Sequence, residues 1–238
     1  MRTAYTVFRN LYNVRKMTMK LVLASGSQRR RELLTMCGYD YEIIVSNADE
    51  TIDENDPESF VRALSFRKAK EVFDRLFEAG RRDFAVIGSD TVVAFQKEGE
   101  TKPVIIGKPK DAEDAVRILS MLSGKTHRVF TGVSVIADIP DENAAAQCSI
   151  REKEEIQTEC SITEVTFETL SPDEIADYVN SGDPLDKAGS YGIQGPFGMF
   201  VREIRGNYFT VIGMPIPVLY KMLKKIGILP HGFYERIE

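Results

Sequence analysis

The chain has 238 residues, 43% of them hydrophobic and 28% charged, enough apolar side chain to bury a full core, which excludes disorder as the main state and predicts one large α/β domain or two small lobes. A formal charge of −5 gives no overall attraction to polyanions, which argues against a duplex-wrapping nucleic-acid binder and makes any phosphate site local. Cys37, Cys148 and Cys160 lie far apart with no metal-ligand spacing, and their odd number fits a reducing compartment and a cytoplasmic enzyme. No apolar run approaches the roughly 20 residues that span a bilayer, so no membrane partner is expected.

The opening stretch carries Arg2, Arg9, Arg15, Lys16 and Lys20 without an acid, a faint targeting-peptide character. Met17 and Met19 stand directly before the first apolar run, so residues 1–19 read better as an upstream extension or misassigned start with no catalytic role. Lys20 to Ala24 predicts a strand ending in Ser25-Gly26-Ser27, and Leu33, Leu34 and Cys37 then take helical spacing from Arg29. Tyr41 to Val45 predicts a second strand, followed by the acidic run Asp49 to Glu54. Pro57 opens a long helix, Glu58 to Glu78, with apolar positions at Phe60, Val61, Leu64, Ala69, Val72, Phe73 and Leu76. Ala85-Val86-Ile87 and Val92-Val93-Ala94-Phe95 flank Gly88-Ser89-Asp90-Thr91, which puts Asp90 in or beside an interior strand.

Asp111 to Leu122 predicts a helix capped by Asp111 and stopped by Gly124. Strands Val129 to Ala137 and Ser161 to Thr169 follow, joined by a polar linker, Asp138 to Glu159, that reads as a hairpin extension or a mobile loop. Ser171-Pro172-Asp173-Glu174 is a capped helix start leading to Gly182. The chain then turns glycine-rich, with Gly189, Gly192, Gly195 and Gly198 among Tyr191, Ile193, Phe197 and Phe200. A strand pair around Gly206-Asn207, a last helix from Pro215 to Ile226 and a tail over residues 231–238 complete the reading. Alternation early and hairpins late predict an α/β fold with a mixed twisted sheet and flanking helices.

The turn Ser25-Gly26-Ser27 sets small residues at a strand-to-helix junction with Arg29, Arg30 and Arg31 on the first helical turn. Backbone N–H groups and the positive helix end attract anions there, and guanidinium groups bind phosphate bidentately. The same residues would also serve a solvated basic face with a Ser N-cap. Asp90 is a candidate general base or metal ligand, or else a turn-capping acid. Lys68 and Lys108 gain weight only from such company, and Glu50 with Asp49 offers the oxygen ligands of a magnesium site or an acidic surface loop. His127 has no second His or Cys nearby and reads as structural; Tyr191 and Phe197 read as core or loop anchors, with base stacking the alternative.

Leu21 to Leu34, with Ala24-Ser25-Gly26-Ser27-Gln28-Arg29-Arg30-Arg31 at its centre, resembles the opening of the Maf family, also described as septum-formation inhibitors and house-cleaning nucleotide pyrophosphatases. Ile87-Gly88-Ser89-Asp90-Thr91, Gly107-Lys108-Pro109 and Leu185 to Gly195 occur in the family's order, so the resemblance runs from about Lys20 to Ile228. It implies an elongated mixed sheet over residues 20–230, split into two lobes by a nucleotide cleft, the Maf and ITPase-like architecture. It also implies Asp90 as catalytic carboxylate, a required divalent cation (Mg²⁺ or Mn²⁺), and Ser25, Ser27, Arg29, Arg30, Lys68 and Lys108 around the triphosphate; with the residue reading of the acidic run, Asp90 and Glu50 are the expected ligands of that cation. Water aligned by Asp90 would attack the α-phosphorus while the cation and basic ring neutralise the departing pyrophosphate. Arg29, Thr91 and Gln194 resemble the branch acting on dTTP and UTP, where the sister branch acting on 7-methyl-GTP tends to carry Trp, Gln and Glu. Gln194 suits base reading because an amide both donates and accepts.

Gln28 stands where the family usually has Pro, the 138–159 linker is long, and residues 1–19 have no counterpart. The implied partner is a nucleoside triphosphate, and a homodimer is compatible with the sequence. The competing reading is a nucleotide-sensing regulator of cell division or septum formation without significant turnover.

Overall fold

The computed structural model describes residues 19–97, 99–139 and 153–231. The expected extension over 1–18, the middle of the linker (140–152, with Cys148) and the tail from 232 onward lie outside those residues. Met19, counted with the extension, is buried in the core, and at the other end the His231 N–H donates to Gly38 O at 2.7 Å. No helix among the described residues is long and apolar enough to cross a membrane.

The elements are β1 (Lys20–Leu23), α1 (Gln28–Met36), β2 (Glu42–Ile43), α2 (Pro57–Glu78), β3 (Phe84–Phe95), β4 (Val104–Ile106), α3 (Ala112–Leu122), β5 (Thr126–Ile139), β6 (Lys153–Phe167), α4 (Pro172–Asn180), β7 (Val201–Arg205), α5 (Tyr208–Ile212) and α6 (Ile216–Lys225). Short 3₁₀ turns fill the segment between α4 and β7. The seven strands form one mixed sheet in the order β2-β1-β3-β5-β6-β7, with β4 also on β3. β1 pairs parallel with β2 and β3, and the remaining pairs are antiparallel. The expected mixed α/β sheet with flanking helices is therefore the observed architecture.

Local chemistry accounts for the helix starts. The Asp56 carboxylate accepts from Ser59 N at 2.9 Å ahead of Pro57, Asp111 accepts from Asp114 N at 2.8 Å, and Ser171 and Glu174 form a reciprocal capping box. Ser27 occupies the N-cap of α1, yet its side chain makes no capping bond.

Three details differ from the sequence reading, and the linker takes one of its two expected forms. β2 spans only Glu42–Ile43 rather than Tyr41 to Val45. The linker's ends are strand: β5 runs on to Ile139 and β6 begins at Lys153, which is the hairpin extension. Around Gly206-Asn207 no strand pair forms, because the Asn207 side chain accepts from Phe209 N at 2.8 Å and starts α5. β4 escaped the reading because three residues between Pro103 and Gly107 carry too little periodicity.

The sheet's two faces follow the period-2 alternation of β3. Val86, Val92 and Ala94 point to the face covered by α2, with Ala69, Val72 and Phe73 above the first and Val61 above the others. Gly88 and Gly132 let α2 lie directly on the strands: a Cβ at Gly88 would overlap Ser65 O, and one at Gly132 would overlap Val61 O. On the opposite face, Ala85 and Ile87 join a core with α1 and α6, while Val93 and Phe95 join a second core with α3, α4 and Phe197. Burial of each such large apolar side chain contributes about 1.5–3 kcal/mol.

Between those two cores the same face turns polar, at Ser89, Thr91 and Thr131. The edge of β3 opens at the same level. β1 leaves β3 after the Leu23–Ile87 pair, and β4 joins it only at Val93. Residues 88–92 thus lack a strand partner on that side, and Asp90 sits in the middle of the opening.

Candidate active site

A cleft of about 1330 Å³ opens at this break in the sheet, and Ser25, Ser27, Arg29, Arg30, Glu50, Lys68, Asp90, Thr91, Lys108 and Gln194 all line it. These ten residues are thereby brought to one place, from six separate stretches of chain. Their surroundings differ sharply.

Asp90 lies within a continuous strand, not at a turn, and is only 8% exposed. Lys68, from the α2 helix seated by the two glycines, donates to Asp90 Oδ1 at 2.7 Å and pairs with Glu50 Oε1 at 3.0 Å. One half-buried ammonium therefore holds both carboxylates. A buried carboxylate without such a partner costs several kcal/mol, so the lysine is part of what makes an acid tolerable in the sheet.

Arg30 is the best-tied basic residue. Its Nε donates to Gly213 O at 2.8 Å, Nη1 to Ser25 Oγ at 3.1 Å and Nη2 to Thr91 Oγ1 at 3.3 Å. Burial lowers its pKa from the ordinary arginine value, with the Asp90 charge acting in the opposite direction. Ser25 Oγ also accepts from Ser27 N at 3.2 Å, closing the small-residue turn on itself. The polar seam continues from there: Ser89 Oγ donates to Gly132 O and Gly213 O, Thr91 and Thr131 share a hydroxyl bond of 3.0 Å, and Thr131 donates to Thr210 O at 2.7 Å.

Arg29, one residue earlier, faces outward and bonds Asp186 Oδ2 at 3.0 Å across the cleft. Lys187 holds the other oxygen of Asp186 at 2.7 Å and also donates to the Asp183 carboxylate and carbonyl, so its three N–H groups are occupied. Burial pushes the Asp186 carboxyl up, but Lys187 and Arg29 outweigh it and hold the pKa below the usual value. Lys108 and Gln194 are exposed at the cleft wall. The Gly189 N–H donates to Gly107 O at 2.9 Å, which ties the glycine-rich loop to the Lys108 turn. Gly189 has φ +72°, and a Cβ there would meet Val93 at 2.5 Å.

His127 is the structural residue the sequence implied: its Nε2 bonds Tyr191 Oη at 2.9 Å and burial lowers its pKa to about 3. Tyr191 and Phe197 are buried anchors in the same aromatic group as Phe167, and Tyr191 also borders the cleft. Asp49 departs from the metal reading, since its Oδ1 accepts from Thr51 N at 2.9 Å and it does not line the cleft. Sequence reasoning gave no role to Asp186, Lys187, Glu54, Asn55 or Lys102, all of which line it. Asp186 carried one signal, its place in the Leu185 to Gly195 block.

The donor set fits a small hard cation. Asp90 and Glu50 share one ammonium, which gathers two carboxylates at one side of the cleft, and Mg²⁺ ordinarily takes one or two carboxylates plus substrate phosphates and water. No cluster of three or more His, Cys, Asp or Glu side chains suited to a metal occurs among the described residues. The phosphates of a ligand would therefore complete the coordination.

Comparison with known proteins gives a consistent result. Residues 20–226 match the family model described as Maf-like protein. The chain is 41% identical over 217 residues to a dTTP/UTP pyrophosphatase of Agathobacter rectalis, covering 88% of this chain and 98% of that protein. It is 42% identical over 210 residues to a dTTP/UTP pyrophosphatase of Bacillus thuringiensis subsp. konkukian, covering 88% and 96%. A looser likeness, with a TM-score of 0.43 at 16% identity, links 87% of this chain to 98% of the Staphylococcus aureus Ham1 protein structure.

Proposed function

The chain belongs to the Maf-like protein family, and on that premise we propose that it hydrolyses dTTP and UTP to the monophosphate and pyrophosphate. The likeness of 41–42% to dTTP/UTP pyrophosphatases carries this reading, because the family match over residues 20–226 spans every cleft residue named above.

In this reading the triphosphate enters the cleft between two lobes of the 20–230 unit, with its phosphates toward α1 and Lys108 and its base toward Gln194. Arg29 and Lys108 are the cations with capacity for phosphate oxygens, joined by the free donors of Arg30 and Lys68. Asp90 aligns a water molecule on the α-phosphorus and takes its proton as the new P–O bond forms. The bond from the α-phosphorus to the bridging oxygen breaks, and pyrophosphate leaves against the positive ring. A divalent cation held by Asp90, Glu50 and the phosphates would supply further neutralisation of that charge. Gln194 offers a donor and an acceptor to the pyrimidine edge, and Arg29 and Thr91 complete the pattern of the dTTP and UTP branch. Among the described residues Cys37 and Cys160 are unpaired, which suits action in the reducing cytoplasm.

The test is a competition among UTP, dTTP, ATP, GTP and 7-methyl-GTP at equal concentration with Mg²⁺, following pyrophosphate release. UTP and dTTP are expected to disappear first. Preferential consumption of 7-methyl-GTP would show that Arg29, Thr91 and Gln194 do not set specificity, and tight binding without release would turn the protein into a nucleotide sensor.

A further inference from the structure

Glu50 is 65% exposed and stands in a segment without regular structure between β2 and α2. Its only described ion pair, to Lys68, has one partner in solvent, and such pairs hold a side chain weakly. What fixes Glu50 must therefore be its backbone. Arg67, the residue before Lys68, sends one nitrogen to the carbonyls on both sides of it: Nη1 donates to Asp49 O at 2.8 Å and to Thr51 O at 2.9 Å. The Asp49 carboxylate accepts from Thr51 N at 2.9 Å and closes the turn with Glu50 at its tip. Further along α2, Glu71 accepts from Asn47 N at 3.0 Å and Arg75 donates to Val45 O at 3.1 Å, so one helix face grips the whole approach to the turn.

We infer that Arg67 is a positioning residue for Glu50: by bracketing the two carbonyls around it, Arg67 holds the Glu50 carboxylate beside Asp90 in the place where a divalent cation and triphosphate are taken. This rests on the metal role proposed for Glu50. The two hydrogen bonds are charge-assisted, and loss of such a supporting contact typically costs about tenfold or more in metal affinity. Arg67 neither lines the cleft nor touches Asp90 among the described contacts, so its influence reaches the site through the turn alone.

The experiment uses the full chain and its R67A, R67K, E50Q and E50Q/R67A variants. Mn²⁺ binding is read by electron paramagnetic resonance in the presence of a non-hydrolysable UTP analogue, alongside melting temperature and the Mn²⁺ dependence of pyrophosphate release. R67A is expected to weaken Mn²⁺ about tenfold, with the loss of turnover recovered at high Mn²⁺. The double variant should be no weaker than E50Q, because both changes remove one contribution. R67K, which keeps a cation near the carbonyls, should fall between and covers the case in which R67A does not fold. Wild-type Mn²⁺ affinity in folded R67A or R67K with a weakened E50Q, or additive losses in the double variant, would overturn the positioning role while leaving the proposed activity intact. Wild-type affinity in E50Q would instead overturn the metal reading of Glu50, and the Arg67 inference with it.

Discussion

Arg29 and Arg30 are neighbours in sequence and stand for two regions of the cleft that behave differently. The floor, with Arg30, Ser25, Thr91, Lys68 and Asp90, is bonded to itself: guanidinium, hydroxyls, ammonium and carboxylate all have protein partners at 2.7 to 3.3 Å. The rim, with Arg29, Glu50, Lys108 and Gln194, is more exposed, and its contacts are surface ion pairs or none among the described residues. A floor whose bonds exist before the ligand arrives reorganises little during reaction, which is where electrostatic catalysis gains most. On the rim, Arg29, Lys108 and Gln194 are weakly held and would be able to take phosphate and base, while Glu50 would serve the proposed cation. Under the proposed function the two regions would therefore contribute to different quantities, the floor to stability and kcat, the rim to KM and selectivity.

The strongest way to break this division is at Asp90. Asp90→Asn keeps shape but removes basicity, and turnover should fall by about 10²–10⁴-fold with the fold retained; a folded variant with near-normal pyrophosphate release would remove Asp90 from the chemistry. A paired test sharpens the contrast. Arg30→Ala removes three hydrogen bonds, to Ser25 Oγ, Thr91 Oγ1 and Gly213 O, each of which keeps one other partner, and should lower stability by about 2–3 kcal/mol as well as activity, visible as a melting temperature lower by roughly 2–4 °C per kcal/mol. Lys108→Ala should lower kcat/KM through one charge-assisted contact worth about 1.5–3 kcal/mol, with melting unchanged. Equal thermal losses in both variants would erase the distinction between floor and rim.

The smallest effect concerns the anchor behind the rim. His127 titrates near 6.5 when unfolded and near 3 when folded, because burial disfavours its charged form. Between those values the unfolded chain binds the extra proton, so this residue's contribution to stability is complete above pH 6.5 and is lost as pH falls toward 3. Melting curves across that window should fall less steeply for a folded His127→Gln variant than for the original chain, and identical slopes would show that His127 does not contribute to acid sensitivity.

What could be read beforehand divides along similar lines. Caps and helices were legible because their causes lie within four residues: Asp111 with Asp114, Ser171 with Glu174, and Pro57 at the start of α2. The cleft lining was legible as a set of residue types, a carboxylate, arginines and lysines, and the family resemblance supplied their grouping. The geometry was not. Gly88-Ser89-Asp90-Thr91 looks like an interruption between two apolar runs, but β3 passes straight through it because a helix presses on Gly88 and a polar seam needs Ser89 and Thr91. Asp49 and Glu50 cannot be told apart as residue types; only the folded turn sends one to a backbone N–H and the other to the cleft. The Arg29 to Asp186 contact spans 157 positions and leaves no local trace.

The seating of α2 on Gly88 and Gly132 has a consequence for how the protein can drift in sequence. The depth of Lys68 above Asp90 is set by the absence of two side chains that no nucleotide ever meets. One methyl group added at Gly88 collides with the α2 backbone at Ser65, one helical turn from that lysine, and raises the helix as a whole, since a packed α-helix shifts more readily than it dents. A lineage can thus lose the enzyme by silent-looking change in its scaffold, with every residue of the cleft still in place.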